Sequence, residues 1–247
     1  MKRKGQKSIA KGIFITGTDT GVGKTVITAG LAGCLKQRGL NAGVMKPVQS
    51  GAIKKGPVLV SADALLAMKT AGVDDPLELV NPYCLEAPLA PKVAAELAGV
   101  KINPDRITDA YHKLRGRHEL MLVEGAGGIM VPLAEGLLVA DLILMLGLPA
   151  IIVARPALGT VNHTLLTIEY ARARGIRTAG VIINNLAKET AGMAEKTAPS
   201  LIAEFSGLPV LGIVPRAEGV DVEAGEPGNI VEQADNAINW DLLLKSL

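Results

Sequence analysis

Two lysines, two carboxylates and a hydroxyl stand where this sequence could do chemistry. Lys24 and Thr25 close the stretch "GTDTGVGKT" (17–25), and Lys46 opens "KPVQSG" (46–51). Asp63 lies in "SADALLAM" (61–68) and Glu124 in "VEGAGG" (123–128). Ammonium groups neutralise phosphate oxygens, while a hydroxyl and carboxylates hold a hard divalent cation. Together they suit transfer of a phosphoryl group, whose transition state spreads negative charge over its oxygens.

The first stretch departs from the usual phosphate-loop pattern, G-x-x-x-x-G-K-[ST]. Gly23, Lys24 and Thr25 fit its end, but Thr18 occupies the first glycine's slot and Gly17 precedes it. The function of such a loop survives that shift, because backbone N–H groups and the following helix N-terminus cradle the anion. Gly21 and Gly23 can take the positive φ angles the curl needs. Lys24 is then expected at the outer phosphates and Thr25 at Mg²⁺.

Lys46 follows the apolar "AGVM" and precedes Pro47, with Ser50 and Gly51 in a turn nearby. It is expected to face the same anionic centre as Lys24. Glu124 ends "LMLV" before a glycine turn, where a cation's carboxylate partner belongs. Asp63 on its own reads as an ordinary helix-start acid. Only the need for a second carboxylate near Thr25 promotes it. His163, in "LGTVNHT", reads as a capping or surface residue, but the helix start around it could receive an anion.

These residues need strands to end beside them. "GIFIT", "NAGVMKPV", "ELMLVEG", "AIIVA", "RTAGVIINN" and "PVLGIVP" are short apolar runs, separated by helical patterns near 25–38, 137–146, 161–174 and 189–206. Nearly continuous apolar strands alternating with helices predict an α/β fold with a mostly parallel sheet covered on both faces. In such sheets ligands gather beyond the carboxyl ends of the strands. One domain over residues 12–247 is expected, after a flexible basic tail at 1–11.

Composition removes other classes. Of the 247 residues 49% are apolar and only 2% aromatic, so the core is aliphatic and bases have little to stack on. A net charge of +2 is too small for a DNA-binding surface. The apolar stretch 137–154 is interrupted by Asp141 and split by Gly147 and Pro149, leaving less than the roughly 20 residues a membrane span needs. No signal-like segment follows the basic start. Cys34 and Cys84 lack metal-ligand spacing and suit a reducing compartment. The expectation is a cytoplasmic protein without nucleic-acid or membrane partners.

Taken together, these stretches resemble dethiobiotin synthetase, the ATP-dependent ring-closing ligase of biotin synthesis. "GTDTGVGKT", "KPVQSG", "SADALL", "NPYCLEAPLAP", "VEGAGG", "LGTVNHTLLT" and "GVIINN" recur in that family's order, from about Gly12 to "NWDLLLKSL". The resemblance implies a P-loop NTPase-like fold. It implies that 7,8-diaminononanoate takes up CO₂ as a carbamate and that ATP phosphorylates it to a carbamic-phosphoric anhydride. The neighbouring amine then closes the ring, releasing ADP and phosphate. By the same resemblance Gly21, Val22, Gly23, Lys24, Thr25 and Val26 would bind ATP, with Gly125, Ala126 and Gly127 beside them. Thr25, Asp63 and Glu124 would surround Mg²⁺. Lys24 and Lys46 would be catalytic, and Thr20 and Ser50 would meet carbamate or diamine. Asn184, or its neighbour Asn185, would read adenine through a carboxamide pairing with the base edge. Pro215, Arg216 and Ala217 would border the base. A homodimer is implied, with Gly159 and Asn162 of one subunit receiving the substrate carboxylate of the other. Two departures from the family are Gly21, where some members have an acid, and Lys92, where histidine is frequent.

Three other readings use part of this set. An ATP-switched partitioning or positioning protein carries an extra lysine early in the loop, where this chain has Asp19. A corrin amidotransferase needs a glutaminase domain with a nucleophilic cysteine, and Cys84 has no triad. A nucleotide-binding interaction module would bind ATP without diamine-dependent turnover.

Overall fold

Every one of the six apolar runs contributes to a single sheet. The computed structural model describes residues 11–187 and 191–246; residues 1–10 of the expected tail lie outside them. The strands are β1 (Lys11–Gly17), β2 (Ala42–Met45), β3 (Leu120–Gly128), β4 (Ala150–Ala154), β5 (Thr178–Leu186) and β6 (Val210–Pro215). They run in the order β6-β5-β4-β1-β3-β2, and each neighbouring pair is parallel. Parallel neighbours cannot be joined by tight hairpins, so helices cross between them and cover the sheet.

The two-residue alternation of strand side chains divides the core. Ile152, Ala154, Val181 and Ile183 pack with Ile168 and Ile202, from the helices Thr160–Ala173 and Met193–Ser206. Their sequence neighbours Ile151, Val153 and Ile182 point the other way, into the larger cluster with Ile27 and Leu31. Both faces are therefore buried, which is why these strands read as continuous apolar runs. Ile27 and Leu31 belong to helix α1 (Lys24–Gln37), which packs against the helices Ala62–Ala71 and Ile230–Ala237. Close approach to the latter needs Gly33, where an added Cβ would lie 2.5 Å from Val231 Cγ2.

Two sequence expectations need correction. The run "NAGVMKPV" does not make one strand: β2 stops at Met45, and Val48–Ser50 pairs instead with Tyr83–Leu85. Pro47 has no N–H to donate, so the ladder breaks there. Strand β3 does not end at Glu124 but runs on to Gly128, with a register shift between Ile15 and Gly17 of β1. The last helix of the expected set spans Met193–Ser206; part of its expected start, at 189–190, lies outside the described residues. The apolar stretch 137–154 does divide, into the helix Val139–Leu146 and β4. No helix among the described residues is long and apolar enough to cross a membrane.

Candidate active site

The carboxyl ends of β1, β3 and β2 meet at one cleft. After Gly17 the chain is pinned to β4 by a bond from Thr18 N–H to Val153 O of 3.0 Å, and then curls through Gly21 (φ 77) and Gly23 (φ 88). Glycine is needed twice over at position 23, because an added Cβ would stand 2.0 Å from Asn184 Nδ2. Helix α1 then starts without a side-chain cap, leaving its first N–H groups for an anion. Lys24 is buried and donates to Asp19 O at 3.0 Å. Burial, followed by the nearby charge of Lys46, lowers its pKa to about 8. The Asp19 carboxylate accepts from Thr20 N–H at 2.7 Å and so stiffens the loop's own curve.

Lys46 is the hub of the site. Its Nζ lies 2.5 Å from Glu124 Oε1, 2.7 Å from Asp63 Oδ2 and 3.3 Å from Gly125 O. Three acceptors match the three hydrogens of an ammonium group. Thr25 Oγ1 donates to Glu124 Oε1 at 2.9 Å, which ties the phosphate loop into the same cluster. Burial opposes the charge on Lys46, but Glu124 and then Asp63 outweigh it and hold its pKa above the ordinary lysine value. Asp63 feels burial too; the Lys46 ammonium and its hydrogen bond bring that carboxyl below its usual range. Glu124 takes the larger share of desolvation, which raises its pKa despite Lys46. Lys46 faces both carboxyl groups, and Lys24 stands close enough for the two ammonium charges to repel.

What brings Asp63 across is a bond that sequence spacing does not reveal. Ser61 Oγ accepts from Ala64 N–H at 3.0 Å, capping the helix Ala62–Ala71, and donates to Gln49 Oε1 at 2.8 Å. The helix start is thereby fastened to Val48–Ser50, and Asp63, in its first turn, reaches Lys46. The capping serine is legible in the sequence; its second bond is not.

The cleft measures about 680 Å³. Thr20, Gly21, Gly23, Lys24, Thr25 and Val26 line it from the phosphate loop, and Ser50, Ala126 and Gly127 line it from the strand ends. Lys46, Asp63 and Glu124 line it as well, together with residues 88–91, part of a motif to which sequence reasoning assigns no role. Val22 is buried, and Gly125 contributes its carbonyl to Lys46.

Other expected residues lie outside this lining. Asn184 is buried and its Nδ2 donates to Val22 O at 3.0 Å, whereas Asn185 is exposed with φ 68. Pro215 ends β6 beside β5, and Arg216 N–H donates to Leu186 O at 3.0 Å, so 215–217 sit at the same end of the sheet as Asn184. Gly159 (φ 91) precedes the helix Thr160–Ala173, which has no side-chain cap; Gly159 and Asn162 do not join the cleft of their own chain. Arg155 spans that gap, 3.6 Å from Asp19 Oδ2 and 3.4 Å from His163 Nδ1.

The donor set fits a hard cation. Two carboxylates already converge on one positive group, Lys46 Nζ, with the Thr25 hydroxyl beside them. Among the described residues no group of three or more His, Cys, Asp or Glu is placed to bind a metal. A cation here would therefore rest on Thr25, Asp63, Glu124 and oxygens of a ligand, which suits Mg²⁺. The cysteines offer no nucleophile: burial raises the thiol pKa of Cys34 to about 12 and shifts Cys84 upward as well.

A family model described as an AAA domain matches residues 11–224. The ATP-dependent dethiobiotin synthetase BioD of Bacillus licheniformis is 46% identical over 208 residues, 84% of this chain and 87% of that protein. The protein of the same name from Bacillus subtilis is 40% identical over 237 residues, 96% of this chain and 99% of its own. Among solved structures, the MinC:MinD cell division protein complex of Aquifex aeolicus aligns with a TM-score of 0.57 at 20% identity, covering 92% of this chain and 95% of that one. A ParA family ATPase from Chlorobium tepidum aligns with a TM-score of 0.57 at 15% identity, covering 95% and 99%. At such identities these structures establish the fold, a P-loop NTPase-like α/β sheet, and nothing about activity. The curated relatives match along most of their own length as well as most of this one. The chain belongs to the ATP-dependent dethiobiotin synthetase family.

Proposed function

We propose that this cleft performs the ATP-dependent carboxylation and ring closure of 7,8-diaminononanoate to dethiobiotin. The observation that carries the reading is the bonded chain Thr25–Glu124–Lys46–Asp63 beside the phosphate loop. A carbamate oxygen is a poor leaving group until it is phosphorylated, and the cleft gathers what phosphorylation needs. The N–H groups at the start of α1 and the Lys24 ammonium receive the triphosphate. Lys46, held charged, faces the negative charge that develops as the phosphoryl group moves. Thr20 and Ser50 border the position of carbamate and diamine. The second amine attacks the carbamate carbon, the bond to the phosphorylated oxygen breaks, and phosphate leaves with ADP already formed.

Mg²⁺ would be held by Thr25, Asp63 and Glu124, and when bound it supplies positive charge to the phosphate oxygens. Asn184 would meet adenine through Oδ1, since its Nδ2 already faces a carbonyl. The uncapped start of the helix Thr160–Ala173 suits a substrate carboxylate delivered from a second subunit, so the working form is a homodimer with shared sites. The setting is the cytoplasm.

The test follows the oxygen. With bicarbonate carrying heavy oxygen, ring closure through a phosphorylated carbamate places one labelled atom in each phosphate released. Phosphate that contains none of the label, formed alongside dethiobiotin, would remove the anhydride from the account.

A further inference from the structure

The "NPY" of residues 81–83 lies outside the reaction just described, yet its asparagine touches the hub residue. Val48, Gln49 and Ser50 pair in parallel with Tyr83, Cys84 and Leu85. Carried back along the chains, that register sets Lys46 opposite Asn81. Of the two hydrogen-bond phases open to such a parallel pair, the one in which Lys46 bonds sends its N–H to the carbonyl before Asn81 and gives its carbonyl the N–H after it. The first bond is present, from Lys46 N to Val80 O at 2.8 Å. The second cannot form from the backbone, because residue 82 is proline and has no N–H.

Asn81 fills the gap with its side chain. Its Nδ2 donates to Lys46 O at 2.6 Å and to Tyr83 O at 3.1 Å. Two carbonyls at the amide's nitrogen end fix its orientation, since only the NH₂ end can donate. Asn81 and Lys46 are both buried. Lys46 lies one residue beyond the last strand residue of β2 and just before Pro47, whose carbonyl accepts from Tyr83 N–H at 3.2 Å, so Lys46 itself is joined to this segment by its bonds to Val80 and Asn81.

We propose that Asn81 is a positioning residue for Lys46, its side-chain amide replacing the backbone N–H that Pro82 lacks. The proposal rests on the catalytic reading of Lys46 given above. With the carbonyl of Lys46 released, its backbone shifts and Nζ leaves the place set by Glu124 and Asp63. A misplacement of that kind costs a rate factor of about 10- to 100-fold.

The experiment compares Asn81→Ala, Pro82→Ala and the double variant in steady-state turnover, calorimetric ATP binding and thermal melting. Asn81→Ala is expected to lower kcat about 10- to 100-fold while ATP affinity stays within about threefold, because it acts on the transition state rather than the bound nucleotide. In the double variant position 82 regains a backbone N–H, which can reach the Lys46 carbonyl, and most of kcat should return. Should Asn81→Ala be insoluble, the double variant decides, since it must fold and turn over. An Asn81→Ala protein with a lowered melting point but full kcat overturns the proposal, as does a double variant that stays inactive or insoluble. Lys46→Gln in parallel keeps the two readings apart. If that variant retains full kcat, the role of Lys46 is wrong; if it is slow and Asn81→Ala slows it no further, the asparagine acts through Lys46.

Discussion

Replacing Lys24 by alanine is expected to lower kcat about 10²- to 10³-fold, equivalent to roughly 3–4 kcal/mol of transition-state stabilisation. The size follows from what is lost: a buried ammonium, placed by the first residue of α1, in its proposed position at the outer phosphates. Lys24 also predicts how ATP binding depends on pH. In the free protein burial and Lys46 lower its pKa to about 8. A bound triphosphate favours the charged form and raises that value, so ATP affinity is full at lower pH and declines as pH rises above about 8. Calorimetry across that range should show proton uptake on binding by the native protein and none from this source in Lys24→Ala. Near-normal kcat in the variant would remove the phosphate-loop assignment.

Lys46→Gln should be at least as damaging, but in a different way. Its loss leaves Asp63 and the fully buried Glu124 facing each other without a cation. Breaking a buried pair by removing one partner costs about 3–5 kcal/mol of stability. The sign with pH is definite. Asp63, depressed by Lys46, stabilises the native fold above its unfolded pKa, and this is lost as pH falls through the folded value. In the variant the two carboxylates repel, and acid relieves that repulsion. The difference in melting temperature between native and variant proteins should therefore narrow as pH falls through the carboxylate range. At neutral pH, kcat should fall about 10²-fold or more while ATP affinity changes little, because the charge matters chiefly as the phosphoryl group moves. Collapse of ATP affinity with kcat preserved would make Lys46 a binding residue.

Much of this is legible in the sequence, for reasons that particular residues make plain. The strands can be read because residues such as Ile151 and Ile152 are buried on opposite faces, producing unbroken aliphatic runs. Lys24 and Thr25 are legible because a phosphate loop is local: its geometry lies within one turn and one helix start. Asp63 is not, since its place depends on Ser61 reaching Gln49, a contact across 12 residues that spacing does not reveal. Nor is the part played by Asn81, which depends on the register between two short strands. The break at Pro47 follows from proline's missing donor, a signal the sequence does carry. The helix Ile230–Ala237 escapes because what fixes it is packing on Gly33 of α1, far away in the chain.

The central claim is that phosphoryl transfer in this cleft serves ring closure. Its most direct measurement is ADP release by the purified protein with Mg²⁺, with and without 7,8-diaminononanoate and bicarbonate, alongside dethiobiotin formed. The account predicts release only when both are present, in equal amounts with dethiobiotin. ADP release at the same rate without the diamine would contradict it, and would point to a nucleotide switch on the same fold.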